Sequence, residues 1–190
     1  MAVFKFINER YDYKSDMWRL IEYCKKQACS VWSPNMLVYS TKVIYDQFLY
    51  YKKYYYKNEG DQLLHFVLSF DSGYWERWVS IQTAIQCAKH LCDLFEGFQS
   101  VAFLHPKKGQ LHVHFLINTV SFVTGNRFHI NSKILWDLRK AAAEWLSLEN
   151  IALLSVSYFD KDGKFRLGKH DGDSLYLNSS LYDKGLYEIK

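Results

Sequence analysis

Apolar residues follow two periodicities along the chain. Short runs typical of strands occupy residues 3–7, 35–39, 62–70, 99–103, 115–117 and 151–158. Segments with apolar side chains at helical spacing occupy residues 17–26, 41–57, 80–96 and 132–146. A turn at residues 160–163 predicts a further hairpin into residues 164–167, and the residues from 170 onward show neither period. This order of elements predicts an α+β fold, in which helices pack on one antiparallel sheet.

The first predicted helix has a polar start and carries a tyrosine on its second turn. Ser15 and Asp16 are good N-cap residues, so we expect the helix to begin near Met17. Tyr23 then lies on the second turn. It is one of 15 tyrosines, and on the pattern alone it is an ordinary residue of an amphipathic helix.

The second predicted helix ends in an unusual run of tyrosines and lysines at residues 50–57. Interleaved aromatic and basic residues are typical of surfaces that bind single-stranded nucleic acid. The plainer interpretation is that the lysines form the solvated face of the helix while the tyrosines pack inward. We favour this second interpretation on the sequence alone.

Three of the seven histidines fall within ten residues, on two apolar runs joined by residues 106–109. Pro, two lysines and Gly suit a tight turn, so this segment predicts a β-hairpin in which His105 lies opposite Gln110. Because side chains alternate along a strand, Gln110, His112 and His114 share a face, and His105 joins them diagonally across from His112. The opposite face is apolar and consists of Ala102, Leu104, Leu111, Val113, Phe115 and Ile117.

Three imidazoles on one hairpin face predict a divalent-metal site with open coordination positions. A single histidine in a strand is more often a core or surface residue, and it is the clustering that favours a metal. Cupins also use a His-x-His strand, but they usually add a glutamate a few residues later. Residues 116–123 contain no acid, and the spacing alone does not identify the metal.

Composition narrows the class of protein. A length of 190 residues favours one domain, and a hydrophobic content of 49% excludes disorder. The net charge of +4 permits nucleic-acid binding without requiring it. We expect a cytoplasmic protein, because no signal peptide or apolar run of membrane-spanning length is present. We also expect reduced thiols at all four cysteines, Cys24, Cys29, Cys87 and Cys92.

Three motifs together resemble those of the HUH relaxases, the mobilisation nucleases of conjugative plasmids and integrative elements, and most closely the P-type branch. The histidine hairpin, with Asn118 and residues 124–127 after it, resembles the third motif of this family. Lys14-Ser15-Asp16, Leu20 and Tyr23 resemble the first, and residues 65–70 with Ser69 resemble the second. The resemblance covers residues 3–150. It implies a five-stranded antiparallel sheet with the tyrosine helix across the metal face, and a single domain over 1–190 in which 151–190 is an extension of uncertain placement.

The resemblance also implies a function. Tyr23 would be the nucleophile that nicks one strand at a transfer origin through a 5′ phosphotyrosine, with Mn²⁺ or Mg²⁺ on His105, His112 and His114. The substrate would be single-stranded or locally melted origin DNA, and the partners would be accessory relaxosome proteins and a type IV coupling protein. Residues expected to contact DNA are Ser69, Lys14, Lys107, Lys108 and Asn118.

One residue departs from the family pattern. The family usually has an acid two residues after the first histidine, held to support the histidine or to help activate the tyrosine, and this chain has Lys107. Two alternatives therefore stay open. One is a rolling-circle replication initiator or HUH transposase, although its tyrosine usually follows the histidine pair. The other is a metal-stabilised DNA-binding module without catalysis, which the change to Lys107 supports best.

Overall fold

A six-stranded sheet forms the centre of the computed structural model, which describes residues 2–7, 10–71, 79–107, 110–149, 151, 153–154, 157–159 and 165–167. The sheet consists of β1 (Ala2–Ile7), β2 (Ser30–Trp32), β3 (Leu63–Asp71), β4 (Phe98–Lys107), β5 (Gln110–Ser121) and β6 (Leu153–Leu154). The strand order is β2-β4-β5-β3-β1-β6. The first five strands pair antiparallel, and the short β6 runs parallel to β1. The α+β prediction, with about five antiparallel strands, is confirmed.

Four helices cover the two faces of this sheet. They are α1 (Lys14–Gln27), α2 (Thr41–Tyr54), α3 (Ile81–Asp93) and α4 (Ser132–Leu148). One core lies between the sheet and α1 and α2, and it includes Ile21, Phe48 and Leu116. The other core lies under α3 and α4, and it includes Phe66, Leu91 and Phe115. The inner strands β3, β4 and β5 therefore bury both of their faces. None of the described helices is long and apolar enough to cross a membrane.

The predicted strand at residues 151–158 is divided in the structure. Its first part is β6, and its second part is β7 (Ser157–Phe159), which pairs with β8 (Phe165–Leu167) in a separate antiparallel hairpin. The predicted second hairpin is thus confirmed. Its connecting residues, and residues 170–190, lie outside the described part of the chain.

Two local predictions before β3 are wrong. The first helix begins at Lys14 and not near Met17, because Asp16 is its third residue and its carboxylate accepts a hydrogen bond from the Tyr13 N–H at 3.3 Å. The strand predicted at 35–39 is instead a loop. Side-chain amides satisfy its backbone: the Gln47 amide accepts from the Leu37 N–H at 3.0 Å and donates to the Leu37 carbonyl at 2.8 Å.

The orientation of α2 also differs from the favoured interpretation. Lys52 is fully buried and its ammonium donates to the Thr119 hydroxyl at 3.1 Å, whereas Tyr50 and Tyr54 are 60% and 64% exposed. The reason is the helical period. Ile44 and Phe48 face the core, and Lys52 is the next position of the same stripe.

The first strand of the histidine hairpin extends further than predicted. β4 continues through Pro106 to Lys107, which pairs with Gln110, so the prediction of a four-residue loop over residues 106–109 is wrong. His105 consequently lies opposite His112 and not opposite Gln110. Pro106 fits within the strand because β2 pairs only as far as Leu104, and a free strand edge tolerates a missing N–H.

Candidate active site

The three hairpin histidines converge on one face of the two inner strands. His105 extends from β4, and His112 and His114 extend from β5. Their ring centroids lie 4.5 Å (His105 to His114), 5.0 Å (His112 to His114) and 5.1 Å (His105 to His112) apart. One nitrogen from each ring lies within 4.8 Å of the other two. The predicted shared face is confirmed, and α1 covers it.

A backbone hydrogen bond orients His105. Its Nε2 lies 2.7 Å from the carbonyl oxygen of Cys24 in α1. A carbonyl only accepts, so Nε2 must carry the proton and Nδ1 must hold a bare lone pair. Nδ1 is buried and has no hydrogen-bond partner among the described residues. The ring is thus held in the tautomer that a metal requires of a neutral imidazole.

His114 is oriented by a buried chain of two further side chains. Its Nδ1 lies 2.8 Å from Nε2 of His65, whose Nδ1 lies 2.9 Å from the hydroxyl of Tyr11. If His114 donates from Nδ1, His65 accepts at Nε2 and donates from Nδ1 to the tyrosine oxygen, and both hydrogen bonds are satisfied. His114 Nε2 is then bare, and it too is buried without a hydrogen-bond partner in the described part of the chain.

Burial keeps these rings neutral. Desolvation lowers the pKa of His105, and it lowers the pKa of His65 to about 3, with His105 adding to the effect. Desolvation, together with the three neighbouring imidazoles, lowers the pKa of His114 to about 2. Neutral imidazoles with two orphaned, buried ring nitrogens fit a divalent cation. A metal would be held by His105, His112 and His114.

Tyr23 lies directly over this cluster. Its ring centroid is 5.9 Å from those of both His105 and His114, in edge-to-face geometry. The buried stripe of α1 fixes the helix against the sheet, and the bond from His105 to the Cys24 carbonyl fixes the residue next to Tyr23. The Tyr23 side chain is 47% exposed, and its hydroxyl makes no hydrogen bond within the described residues. The phenol is therefore both positioned and accessible.

The residues predicted to contact DNA do not all lie near the histidine cluster. Ser69 pairs with His112 across β3 and β5, so it shares the histidine face and is half-buried. Lys14 is exposed at the opposite end of α1, about 13 Å along the helix from Tyr23. The Lys107 side chain and all of Lys108 lie outside the described part of the chain.

Asn118 does not lie where a residue that contacts DNA would lie. Its side chain is fully buried, donating to the Phe48 carbonyl at 3.1 Å and to the Gln99 amide oxygen at 2.8 Å. Its own amide oxygen accepts from the Val120 N–H at 3.2 Å. The predicted contact with DNA is therefore wrong, because Asn118 ties α2 and β4 to β5 inside the core.

His65 and Tyr11 also belong to the site, although neither was predicted to. His65 has the same strand parity as Ser69 and therefore faces the histidine cluster. That parity can be read from the sequence. The sequence does not show that β3 pairs with β5, which brings Val67 opposite His114 and His65 diagonally next to it.

A comparison with family models agrees with this geometry. The model described as "Relaxase: MobA/VirD2-like, nuclease domain" matches residues 19–149, which is more than half of the chain. The match includes Tyr23, His65, Ser69 and the histidine hairpin, and it leaves out β1 and Lys14. No curated protein and no solved structure gives a significant match. The chain belongs to the relaxase family of the MobA/VirD2 type.

Proposed function

We propose that this relaxase nicks one DNA strand at the transfer origin of a mobile element, with Tyr23 as nucleophile and a 5′ phosphotyrosine as intermediate. The observation that carries the proposal is the accessible phenol packed edge-on against two of three clustered imidazoles. Family membership supports a DNA-nicking nuclease in general. The assignment of Tyr23 rests on its position.

The chain's own residues account for positioning. The hairpin holds the three imidazoles together, the Cys24 carbonyl fixes the tautomer of His105, and α1 holds the phenol beside them. When bound there, a divalent cation would supply positive charge for a phosphate oxygen and for the developing phenolate. Three imidazoles favour manganese or another transition metal over magnesium. Tyr23 needs this environment, because a protonated phenol is a poor nucleophile.

The reaction exchanges one phosphodiester for another. The bond from the Tyr23 oxygen to phosphorus forms, and the bond from phosphorus to the 3′ oxygen of the upstream strand breaks. The phenol loses its proton, and the departing 3′ oxygen gains one. Because the number of phosphoester bonds is unchanged, the strand can later be rejoined without an energy source.

His105 keeps a hydrogen-bond partner although Lys107 replaces the acid that the family usually has. In this chain the Cys24 carbonyl accepts the hydrogen bond from His105 that fixes its tautomer. A backbone acceptor can perform the orienting role of a carboxylate. The replacement of the family's acid by Lys107 therefore does not by itself argue against catalysis. The position of Tyr23 before the histidines favours a relaxase over a rolling-circle initiator or HUH transposase, whose chemistry would be the same.

The substrate would be single-stranded or locally melted origin DNA, acted on in the cytoplasm. Accessory relaxosome proteins would assemble at the origin, and a type IV coupling protein would receive the covalent complex.

The test is a cleavage reaction on single-stranded DNA from the origin region of the element that encodes the protein, with Mn²⁺ present. We expect a covalent adduct from the wild-type chain and none from Tyr23→Phe, which loses one oxygen and little packing. Tyr39→Phe is the matched control, because Tyr39 is also exposed but lies outside the histidine cluster. Replacing His112 and His114 together by Ala should abolish cleavage and also the rise in melting temperature that Mn²⁺ gives. Failure of the wild-type chain to form any adduct would favour the non-catalytic alternative.

A further inference from the structure

The end of α2 presents aromatic rings to solvent. Tyr50, Tyr54 and Tyr56, hereafter the tyrosine platform, are 60%, 64% and 90% exposed. The rings of Tyr50 and Tyr54 lie parallel within 15°, with centroids 6.4 Å apart. Exposed rings with parallel planes are suited to stacking against other flat groups.

The platform is supported from below by two further tyrosines. Tyr51 packs edge-on against Tyr50 at 5.0 Å, and Tyr55 packs edge-on against Tyr54 at 4.8 Å. The Tyr55 hydroxyl donates to the carbonyls of Phe122 and Val123, at 3.2 and 3.1 Å. The exposed rings thus rest on side chains that are anchored to the loop after β5, which limits the conformational entropy lost on binding.

Tyr56 occupies a backbone position where tyrosine is costly. Its φ is +55°, in the left-handed region. The Tyr56 N–H donates to the Lys53 carbonyl and the Lys57 N–H donates to the Lys52 carbonyl, which is the pattern of a helix C-terminus that usually ends in glycine. A ring that is 90% exposed gains almost no packing to offset this strain. Backbone strain that packing does not offset is typical of functional positions.

Two exposed lysines lie beside the platform and can pair with phosphates. Lys53 and Lys57 are exposed beside the rings, and residues 47–58 contain no acid. Glu59 and Asp61 follow in the next loop and are exposed as well. Alternating aromatic and basic side chains match the bases and phosphates of an unpaired strand.

The tyrosine platform lies near the start of α1, the helix that carries Tyr23. The Gln62 side chain donates to the carbonyls of Asn58 and Asp12, at 3.2 and 3.4 Å, and so joins the end of α2 to the start of α1. Lys14, the first residue of α1, is exposed there. From this point α1 runs along the same sheet face to Tyr23.

We propose that the tyrosine platform binds unpaired bases of the single-stranded DNA that flanks the cleaved phosphate. The inference rests on the proposed function for the identity of the substrate. Stacking would hold the strand at one end of α1 while the phosphate lies at Tyr23. Because every base has a π-face, this contact would add affinity with little dependence on sequence.

The test measures binding alone, by fluorescence anisotropy of a labelled oligothymidylate of about 20 nucleotides in EDTA, so that neither cleavage nor metal affects the result. Replacing Tyr50 and Tyr54 together by Ala should weaken affinity by at least about tenfold, whereas replacing both by Phe should preserve it, because stacking needs the ring and not the hydroxyl. Trp136→Ala is the control, since Trp136 is a 58% exposed aromatic residue on α4, across the sheet. It should leave affinity unchanged.

Three results would overturn the proposal. They are no binding by the wild-type chain, unchanged affinity in the double Ala variant, and equal losses on single-stranded DNA and on a duplex of the same length. The last would indicate phosphate contacts or a general defect in place of stacking. A loss confined to single strands would support the platform even if no adduct forms at Tyr23, so this proposal and the catalytic one can fail separately.

Discussion

His65 is the residue whose removal should reveal how the metal ligands are held. His65→Leu keeps most of the side-chain volume and removes the acceptor 2.8 Å from His114 Nδ1. A buried N–H left without a partner costs roughly 1 to 3 kcal/mol. His114 can relieve that cost by moving its proton to Nε2, which is the nitrogen that the metal needs bare.

We therefore expect His65→Leu to weaken Mn²⁺ binding by about 10- to 100-fold, the range for loss of a partner that orients a ligand. That loss corresponds to roughly 1.4 to 2.7 kcal/mol of binding free energy. The variant should also unfold more easily without metal, since Tyr11 loses its bond to His65 as well.

Isothermal titration with Mn²⁺ measures the affinity directly. His129→Ala is the matched control, because His129 is exposed and is not part of the cluster. It should bind Mn²⁺ like the wild-type chain. If His65→Leu lost stability but kept the wild-type metal affinity, the hydrogen-bonded chain from Tyr11 to His114 would have no role in the site.

Three further predictions concern α2 and its surroundings. Burial, together with the charge of Arg127, lowers the pKa of Lys52 to about 7. Between that pH and about pH 10 the unfolded state therefore binds more protons than the folded state, so the free energy of unfolding should rise with pH. Urea unfolding at pH 7 and pH 9 should show this rise, and Lys52→Met should flatten it. Gly125→Ala should lower the free energy of unfolding by about 2 to 3 kcal/mol in the same assay, because a Cβ there would lie 2.5 Å from the Tyr55 ring and φ is +72°. A variant as stable as the wild-type chain would refute this close approach. Tyr56→Gly should stabilise the fold by about 1 kcal/mol by relieving the left-handed strain, and a lower urea midpoint would contradict this.

The histidine cluster could be predicted from the sequence, and the reason is parity. Because β4 extends to Lys107, the residue opposite His105 is His112 and not the predicted Gln110. A shift of two residues leaves every side chain on the same face. The prediction of the face was therefore correct although the prediction of the turn was wrong.

The support of the cluster could not be predicted in the same way. His65 meets His114 only because β3 pairs beside β5, and nothing local to either strand indicates that neighbour. Similarly, the Cys24 carbonyl reaches His105 through the packing of α1 on the sheet. Contacts of this kind depend on tertiary arrangement and on backbone atoms, which carry no residue-type signal.

The tyrosine run on α2 was interpreted wrongly for a different reason. Lysine is almost never fully buried, so a solvated lysine face was the natural expectation. The stripe of Ile44, Phe48 and Lys52 at four-residue spacing predicted the opposite orientation. Here the periodicity was the better guide, because the Thr119 hydroxyl satisfies the buried ammonium.

The central claim, that Tyr23 is the nucleophile, is tested most directly by locating the covalent bond. Wild-type protein is incubated with its origin strand and Mn²⁺, digested with protease, and its peptides are weighed by mass spectrometry. We predict that the added nucleotide lies on the peptide from α1 that contains Tyr23, and on no other tyrosine. A nucleotide on a different residue, or an adduct that survives Tyr23→Phe, would contradict the account.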